Sequence, residues 1–271
     1  MCKLNILRKI SKNRLKMSNI DERDADYIIA YELNMPVTEI PLSTCDLTKK
    51  QYNNVIKKIK LRCKHKPITK IFGKAYFCGY EFVVNEHVLS PRFDTELLVE
   101  KAIDYIKPND RVLDLCTGSG CVAVSIAKQV DAYIEASDIS KKALKVARKN
   151  AKLNKVKIEM YQSNMFDKVQ GKFNVIVSNP PYIESDVVKT LDKEVIDHDP
   201  MLALDGGADG LDFYRIIANN IKDYLLDNGV LLLEIGYNQG KAVTDIFKDI
   251  AKEIQIIKDY NNNDRVVVVK I

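Results

Sequence analysis

From about residue 93 to the end, short apolar runs alternate with stretches of helical periodicity. That alternation restricts the chain to a sheet wound with helices. The runs near 111–115, 133–137, 156–160, 173–178, 230–235, 254–258 and 265–270 read as strands. Leu231-Leu232-Leu233 and Val266-Val267-Val268-Val269 are apolar at every position, as in strands covered on both faces. Asn261-Asn262-Asn263 between the last two runs points to a hairpin, hence one antiparallel partner in a mostly parallel sheet. The expected fold is α/β: a doubly wound, mostly parallel seven-stranded sheet over residues 93–271.

The preceding chain has another character. Residues 1–72 read as helical, a small domain of their own. Leu4, Leu7, Ile10 and Leu15 recur at near-helical spacing, which favours a first amphipathic helix over a transit peptide, although the first 20 residues carry six basic and no acidic side chains. A second helix runs over Asp24 to Leu33 and ends near Asn34 and Pro36; a third runs from Thr48 to Lys66 and is stopped by Pro67. In residues 73–92, Gly73, Gly79 and the alternating Tyr76, Phe82, Val84 and Val88 read as a β-hairpin linking the two domains.

At 271 residues the chain holds one large domain and one small one, and 46% hydrophobic with 29% charged residues is ordinary for a globular protein. No apolar run approaches the roughly 20 residues that span a membrane. The six cysteines show no CxxC pair, so a metal site is not expected; they read as free thiols in a reducing, cytoplasmic setting. His65, His87 and His198 fall in no motif. Charge is divided unevenly. Residues 1–80 hold 17 Lys and Arg against 7 Asp and Glu, a net +10, whereas the remainder is net −5. A basic domain beside an acidic one points to contact with RNA or an acidic protein surface. A solvated lysine-rich helix face is the plain alternative. A monomer is expected.

Two motifs carry the chemistry. Arg111-Val112-Leu113-Asp114-Leu115, the turn Cys116-Thr117-Gly118-Ser119-Gly120 and the helical start Cys121-Val122-Ala123 form a strand–turn–helix cofactor cradle. Gly118 and Gly120 allow a sharp bend and close backbone approach to a ligand. The turn departs from GxGxxG, so a pyrophosphate is a poor fit and a nicotinamide oxidoreductase is a weak reading. The next strand ends at Asp138, 18 residues after Gly120, where a carboxylate can accept from both hydroxyls of a ribose. On its own, Asp138 can also be read as an acid at a helix start beside Ser140, a plausible cap.

The second motif is Asn179-Pro180-Pro181-Tyr182, after the strand Phe173-Asn174-Val175-Ile176-Val177-Ser178. Pro181 has no N–H, so the carbonyl of Pro180 is expected to lack a local partner. With the Asn179 side-chain oxygen it makes two acceptors for the two hydrogens of an NH2 group, and the Tyr182 ring supplies a flat wall. Taken alone, the segment is also an ordinary proline turn. A nucleoside cofactor opposite an amine grip points to S-adenosylmethionine and methyl transfer to nitrogen, a reaction governed by positioning. Three readings follow. The chain methylates a protein amide, methylates an adenine or guanine amino group that must be flipped or held, or binds a nucleoside and a partner without catalysis.

The chain resembles the PrmC/HemK family of protein glutamine methyltransferases over nearly its whole length. The likeness is carried by Asn179-Pro180-Pro181-Tyr182, Phe72-Gly73, Phe77-Cys78-Gly79-Tyr80-Glu81-Phe82, Val88-Leu89-Ser90-Pro91-Arg92 with Thr95-Glu96, and the cradle 114–121. It extends to Ala203-Leu204-Asp205-Gly206-Gly207, Asp209-Gly210-Leu211, Phe213-Tyr214-Arg215 and Leu233-Glu234-Ile235-Gly236 with Gln239. The resemblance implies a class I S-adenosylmethionine-dependent methyltransferase acting on the glutamine of the Gly-Gly-Gln loop of class 1 peptide-chain release factors. It implies that Cys116, Thr117, Gly118, Ser119 and Gly120 hold the methionine part of the cofactor, Asp138 the ribose and Met165 the adenine. Asn179 would touch both cofactor and substrate. Pro180, Pro181 and Tyr182 would bind the substrate glutamine, with Phe77 as an opposing wall, and the helical domain would help dock the release factor. Cys116 stands where glycine is more usual, Asn164 where an acid is common, and Phe93-Asp94 where Pro-Glu is usual.

Overall fold

A computed structural model describes residues 2–271. By its contacts the chain divides into two compact units. A helical unit runs to Gly73 and includes Asp192–His198; a sheet unit takes Lys74–Leu191 and Asp199–Ile271.

In the helical unit a two-residue strand, β1 (Cys2–Lys3), leads into α1 (Leu4–Met17), followed by α2 (Asp24–Leu33). β2 (Asp46–Leu47) pairs antiparallel with β1 and is followed by α3 (Lys49–Arg62) and α4 (Ile68–Phe72). The buried stripe of α1 is Leu4, Leu7, Ser11 and Leu15. Ser11 holds the place expected of Ile10, which lies at the stripe's edge. α2 stops where Asn34 turns left-handed at φ +52. α3 opens with a capping box, in which the Thr48 hydroxyl accepts from the Gln51 N–H and the Gln51 side chain from the Thr48 N–H. It ends at Arg62, short of the expected Lys66. Polar pairs pin the packing. Arg8 and Lys12 meet Asp26, and Arg62 bridges Asp24 at 2.6 Å and Glu194 at 2.7 Å.

The sheet unit begins with a hairpin of β3 (Lys74–Phe77) and β4 (Tyr80–Val83). Its two-residue turn, Cys78-Gly79, has positive φ at both positions, the geometry that matches strand twist. After α5 (Glu96–Ile103) come β5 (Arg111–Leu115), α6 (Cys121–Ala127), β6 (Tyr133–Asp138), α7 (Lys141–Leu153), β7 (Glu159–Gln162) and β8 (Phe173–Ser178). The short helices α8 (Ser185–Val188) and α9 (Lys193–Ile196), α10 (Asp212–Tyr224), β9 (Leu225–Glu234), α11 (Gly240–Phe247), β10 (Glu253–Lys258) and β11 (Asp264–Lys270) complete the chain, α9 belonging to the helical unit.

The seven-stranded sheet has the order β10-β11-β9-β8-β5-β6-β7. β9, β8, β5, β6 and β7 run parallel; β11 is antiparallel to β9 and β10. This is the doubly wound class expected. Two strand limits differ. The third strand lies at 159–162 rather than 156–160, because the chain makes a loop through Lys155, left-handed at φ +57, before pairing with β6. β9 starts at Leu225 rather than 230, continuing directly from α10.

Strand side chains alternate between two cores, as the two-residue period requires. Val112, Val175, Leu232 and Val266 pack on one face with α5, α6 and the hairpin aromatics Phe77 and Phe82; Leu113, Ile176, Leu233 and Val267 pack on the other with α10 and α11. Both faces being covered explains the continuous apolar runs. From β5 the chain winds outward through β6 and β7, then returns to the opposite side of β5 as β8. The gap between the carboxyl ends of β5 and β8 is therefore the switch point, where open α/β sheets bind ligands. Among the described residues no helix is long and apolar enough to cross a membrane.

Candidate active site

At the end of β5 the backbone leaves the sheet through Cys116 (φ +64), Gly118 (φ +55) and Gly120 (φ +79) before entering α6. Asp114, 1% exposed, organises this turn from below; its Oδ2 accepts from Thr117 Oγ1 at 2.6 Å and from the Ala123 N–H at 3.1 Å. Burial pushes its carboxyl up to about 7 against the pull of those two bonds, and nearby Asp138 adds to the rise. The two glycines serve different needs. A Cβ on Gly120 would meet Ala147 Cβ at 3.0 Å, so its absence lets α7 approach the start of α6. A Cβ on Gly118 would meet nothing within 4 Å; there the requirement is the left-handed backbone facing open space. Cys116 adopts a similar backbone with a side chain, a strain of about 1–2 kcal/mol relative to glycine. Its sulfur lies 3.8 Å from Met165 Sδ, and burial pushes the thiol well up.

Asp138 ends β6. Its Oδ2 accepts from the Gly118 N–H and its Oδ1 from the Ser140 N–H, both at 2.8 Å. Each oxygen keeps a lone pair. Burial raises its pKa despite these two bonds. The helix cap itself is Ser140, whose hydroxyl accepts from the Ala143 N–H.

The Asn-Pro-Pro-Tyr segment leaves β8 alongside. Asn179 Nδ2 donates to Thr95 Oγ1 at 3.2 Å, and no described hydrogen bond reaches Asn179 Oδ1 or the carbonyl of buried Pro180. Tyr182 is half-buried. Its hydroxyl lies 3.5 Å from Glu234 Oε1, and its carbonyl accepts from Gln239 Nε2 at 2.9 Å. Gln239 also accepts from the Gly236 N–H, tying the loop after β9 to the segment.

One pocket, with an empty volume of about 1170 Å³, collects most of these groups. Cys116, Thr117, Gly118, Ser119, Asp138, Met165, Asn179 and Pro181 line it, with Asn164 at its rim. Gly120, Pro180 and Tyr182 do not line it. The expectation that Phe77 forms an opposing wall is corrected. Phe77 is 1% exposed, packed edge-on against Phe82 with ring centroids 6.0 Å apart, because the hairpin turns that face into the core.

Sequence reasoning missed Asn150. Fully buried, it donates to the carbonyls of Val83 and Ser119 and accepts from the Val83 N–H, stitching α7 to the hairpin and the cradle. Its signal was a polar residue in the apolar stripe of Ala143, Val146, Ala147 and Ala151. Thr95 and Glu234, both buried beside Asn179 and Tyr182, were quoted only as parts of family motifs.

The residues fit a nucleoside cofactor bearing a sulfonium. A left-handed glycine opens onto the space, a half-buried carboxylate with spare lone pairs stands at the next strand, and Met165 gives an apolar wall that is 7% exposed. Such a cradle at the switch point of a seven-stranded sheet defines a class I methyltransferase, and S-adenosylmethionine is the methyl donor of this class.

Comparison narrows the class. The model of the methyltransferase small domain family matches residues 90–208. A release factor glutamine methyltransferase of Agrobacterium fabrum (strain C58) is 37% identical over 270 residues, covering 95% of this chain and 93% of the relative. One from Thermodesulfovibrio yellowstonii is 37% identical over 256 residues, covering 92% of each. Among solved structures, a methyltransferase from Pyrococcus furiosus superposes with a TM-score of 0.57 at 16% identity, over 82% of this chain and 98% of that one, a likeness of fold. The chain belongs to the release factor glutamine methyltransferase family, and is an S-adenosylmethionine-dependent methyltransferase.

Proposed function

We propose that the chain methylates the side-chain amide nitrogen of the glutamine in the Gly-Gly-Gln loop of class 1 peptide-chain release factors. The observation that carries this reading is that Asn179 and the turn after Leu115 open onto one pocket. S-adenosylmethionine supplies an already activated methyl group when bound. The turn 116–120 holds its methionine part, Asp138 its ribose and Met165 its adenine.

The remaining work is orientation. An amide nitrogen is a poor nucleophile because its lone pair is delocalised. Asn179 Oδ1 and the Pro180 carbonyl, both without described partners, take the two hydrogens of the glutamine NH2 and favour a pyramidal nitrogen aimed at the donor. Pro181 keeps the segment free of a competing N–H, and Tyr182 bounds the substrate side, held through Gln239 and Glu234. The proton leaves to water after transfer. The basic helical unit helps dock the release factor and makes transient contact with RNA, the protein acting as a cytoplasmic monomer.

The test is transfer of labelled methyl to recombinant release factor, with RNA and DNA as competing acceptors. Label should enter the release factor and vanish when the Gly-Gly-Gln glutamine is replaced; label that persists refutes the substrate. Asn179→Ala should lower turnover by about a hundredfold or more while S-adenosylhomocysteine affinity changes by less than about fivefold.

A further inference from the structure

The Asn179 amide can present either its oxygen or its NH2 to a substrate, and only the oxygen accepts from a glutamine NH2. Nothing within Asn-Pro-Pro-Tyr decides between the two. The nearest partner is Thr95, 3% exposed, in the single turn Phe93–Thr95 before α5, whose Oγ1 receives the Asn179 Nδ2 hydrogen. A hydroxyl has one hydrogen to give, and Thr95 lies near enough to the Glu234 carboxylate to favour its charged form. Glu234 ends β9 at 2% exposure; Tyr182 meets its Oε1, and its Oε2 has no hydrogen-bond partner among the described residues. The other titratable or charged groups in its field are Arg265, Asp94, Tyr214 and Cys121.

We infer that Thr95 and Glu234 are positioning residues that hold the Asn179 amide with its oxygen toward the methyl-accepting nitrogen. This rests on the glutamine reading above. Turning the amide over would make Oδ1 compete for the Thr95 hydrogen and deprive a buried carboxylate of that donor. The hold depends on Glu234 being an acceptor only. Burial pushes its carboxyl up to about 7, against the pull of Thr95 and Arg265. Above that pH a charged Glu234 can only accept, and it draws the Thr95 hydrogen toward itself. Below, a protonated Glu234 can itself donate to Thr95, the hydroxyl is released, and both amide orientations become open.

Thr95→Val removes the hydroxyl at nearly constant volume, and Thr95→Ser restores it. In Thr95→Val, kcat should fall about tenfold or more, the scale of one lost buried hydrogen bond, while in Thr95→Ser it stays within about threefold of wild type. S-adenosylhomocysteine affinity should hold in both. In Glu234→Gln the rise of kcat from about pH 6 to about pH 8 should flatten. Equal kcat in Thr95→Val and wild type, or equal losses in the Val and Ser variants, overturns the assignment. A readout free of substrate separates it from the release factor reading. The Asn179 side-chain NH2 resonances of wild type should titrate with a midpoint of about 7, and those of Glu234→Gln should not. No titration in wild type overturns the inference even if Thr95→Val fails to fold. Titration in a wild type that leaves release factor unlabelled refutes only the substrate.

Discussion

Gly206 lies so close to the candidate site that a Cβ built on it would stand 2.7 Å from Tyr182 Cα and 2.8 Å from the Pro181 carbonyl oxygen. Both neighbours are backbone and cannot swing aside. Two hydrogen bonds frame the contact, from the Ile183 N–H to the Leu204 carbonyl and from the Gly206 N–H to the Ile183 carbonyl. Gly206→Ala should therefore displace Asn-Pro-Pro-Tyr rather than unfold the sheet. Turnover should fall about tenfold or more while S-adenosylhomocysteine affinity, read by calorimetry, falls less, since a misplacement near 1 Å costs on the order of a hundredfold in rate. Cys116 is the milder case at this scale. Its left-handed backbone is the one glycine adopts freely, and its sulfur lies against Met165.

Among the elements, α7 does more than cover the sheet. Through Asn150 it fixes the end of β4 at Val83 and the cradle at Ser119. Asn150→Ala leaves the half-buried Val83 N–H and carbonyl and the buried Ser119 carbonyl without their partner, and should cost about 3 kcal/mol in urea unfolding with the slope unchanged. At this scale the sequence was most readable. Strand positions followed from apolar runs such as Val266-Val267-Val268-Val269, because a sheet covered on both faces leaves no polar alternation to mislead. α3 begins where expected, directly after Thr48, whose hydroxyl caps it. What escaped were contacts between elements distant in sequence. Phe77 looked available in a glycine-bearing hairpin, yet the hairpin's facing is set by its packing on the sheet, which periodicity does not encode. The Thr95–Asn179 bond joins residues 84 positions apart and leaves no local trace.

For the whole molecule, pH acts through two buried carboxyls, Asp114 and Glu234, both raised to about 7 by burial. In the unfolded chain such groups titrate at about 4. Between those values the folded protein binds more protons than the unfolded one, so its stability declines as pH rises from about 4 to about 7 and then levels. Asp26 acts in the opposite direction. Burial alone would raise it, but Arg8 and Lys12 bring it below its usual range, and its contribution is lost as pH falls. Asp114→Asn keeps an oxygen for Thr117 and Ala123 and removes one titration. Urea unfolding across this range should show its slope against pH less negative than that of wild type, by at most about 1.4 kcal/mol per unit.

The segment Asp192–His198 comes late in the chain but belongs to the helical unit, where Glu194 meets Arg62 and the His198 carbonyl receives the Lys70 ammonium. Cutting at Gly73 would not lift out a module cleanly, because it would strand that segment among strangers. Any exchange of the helical unit between relatives has to move two separated stretches of gene in one step.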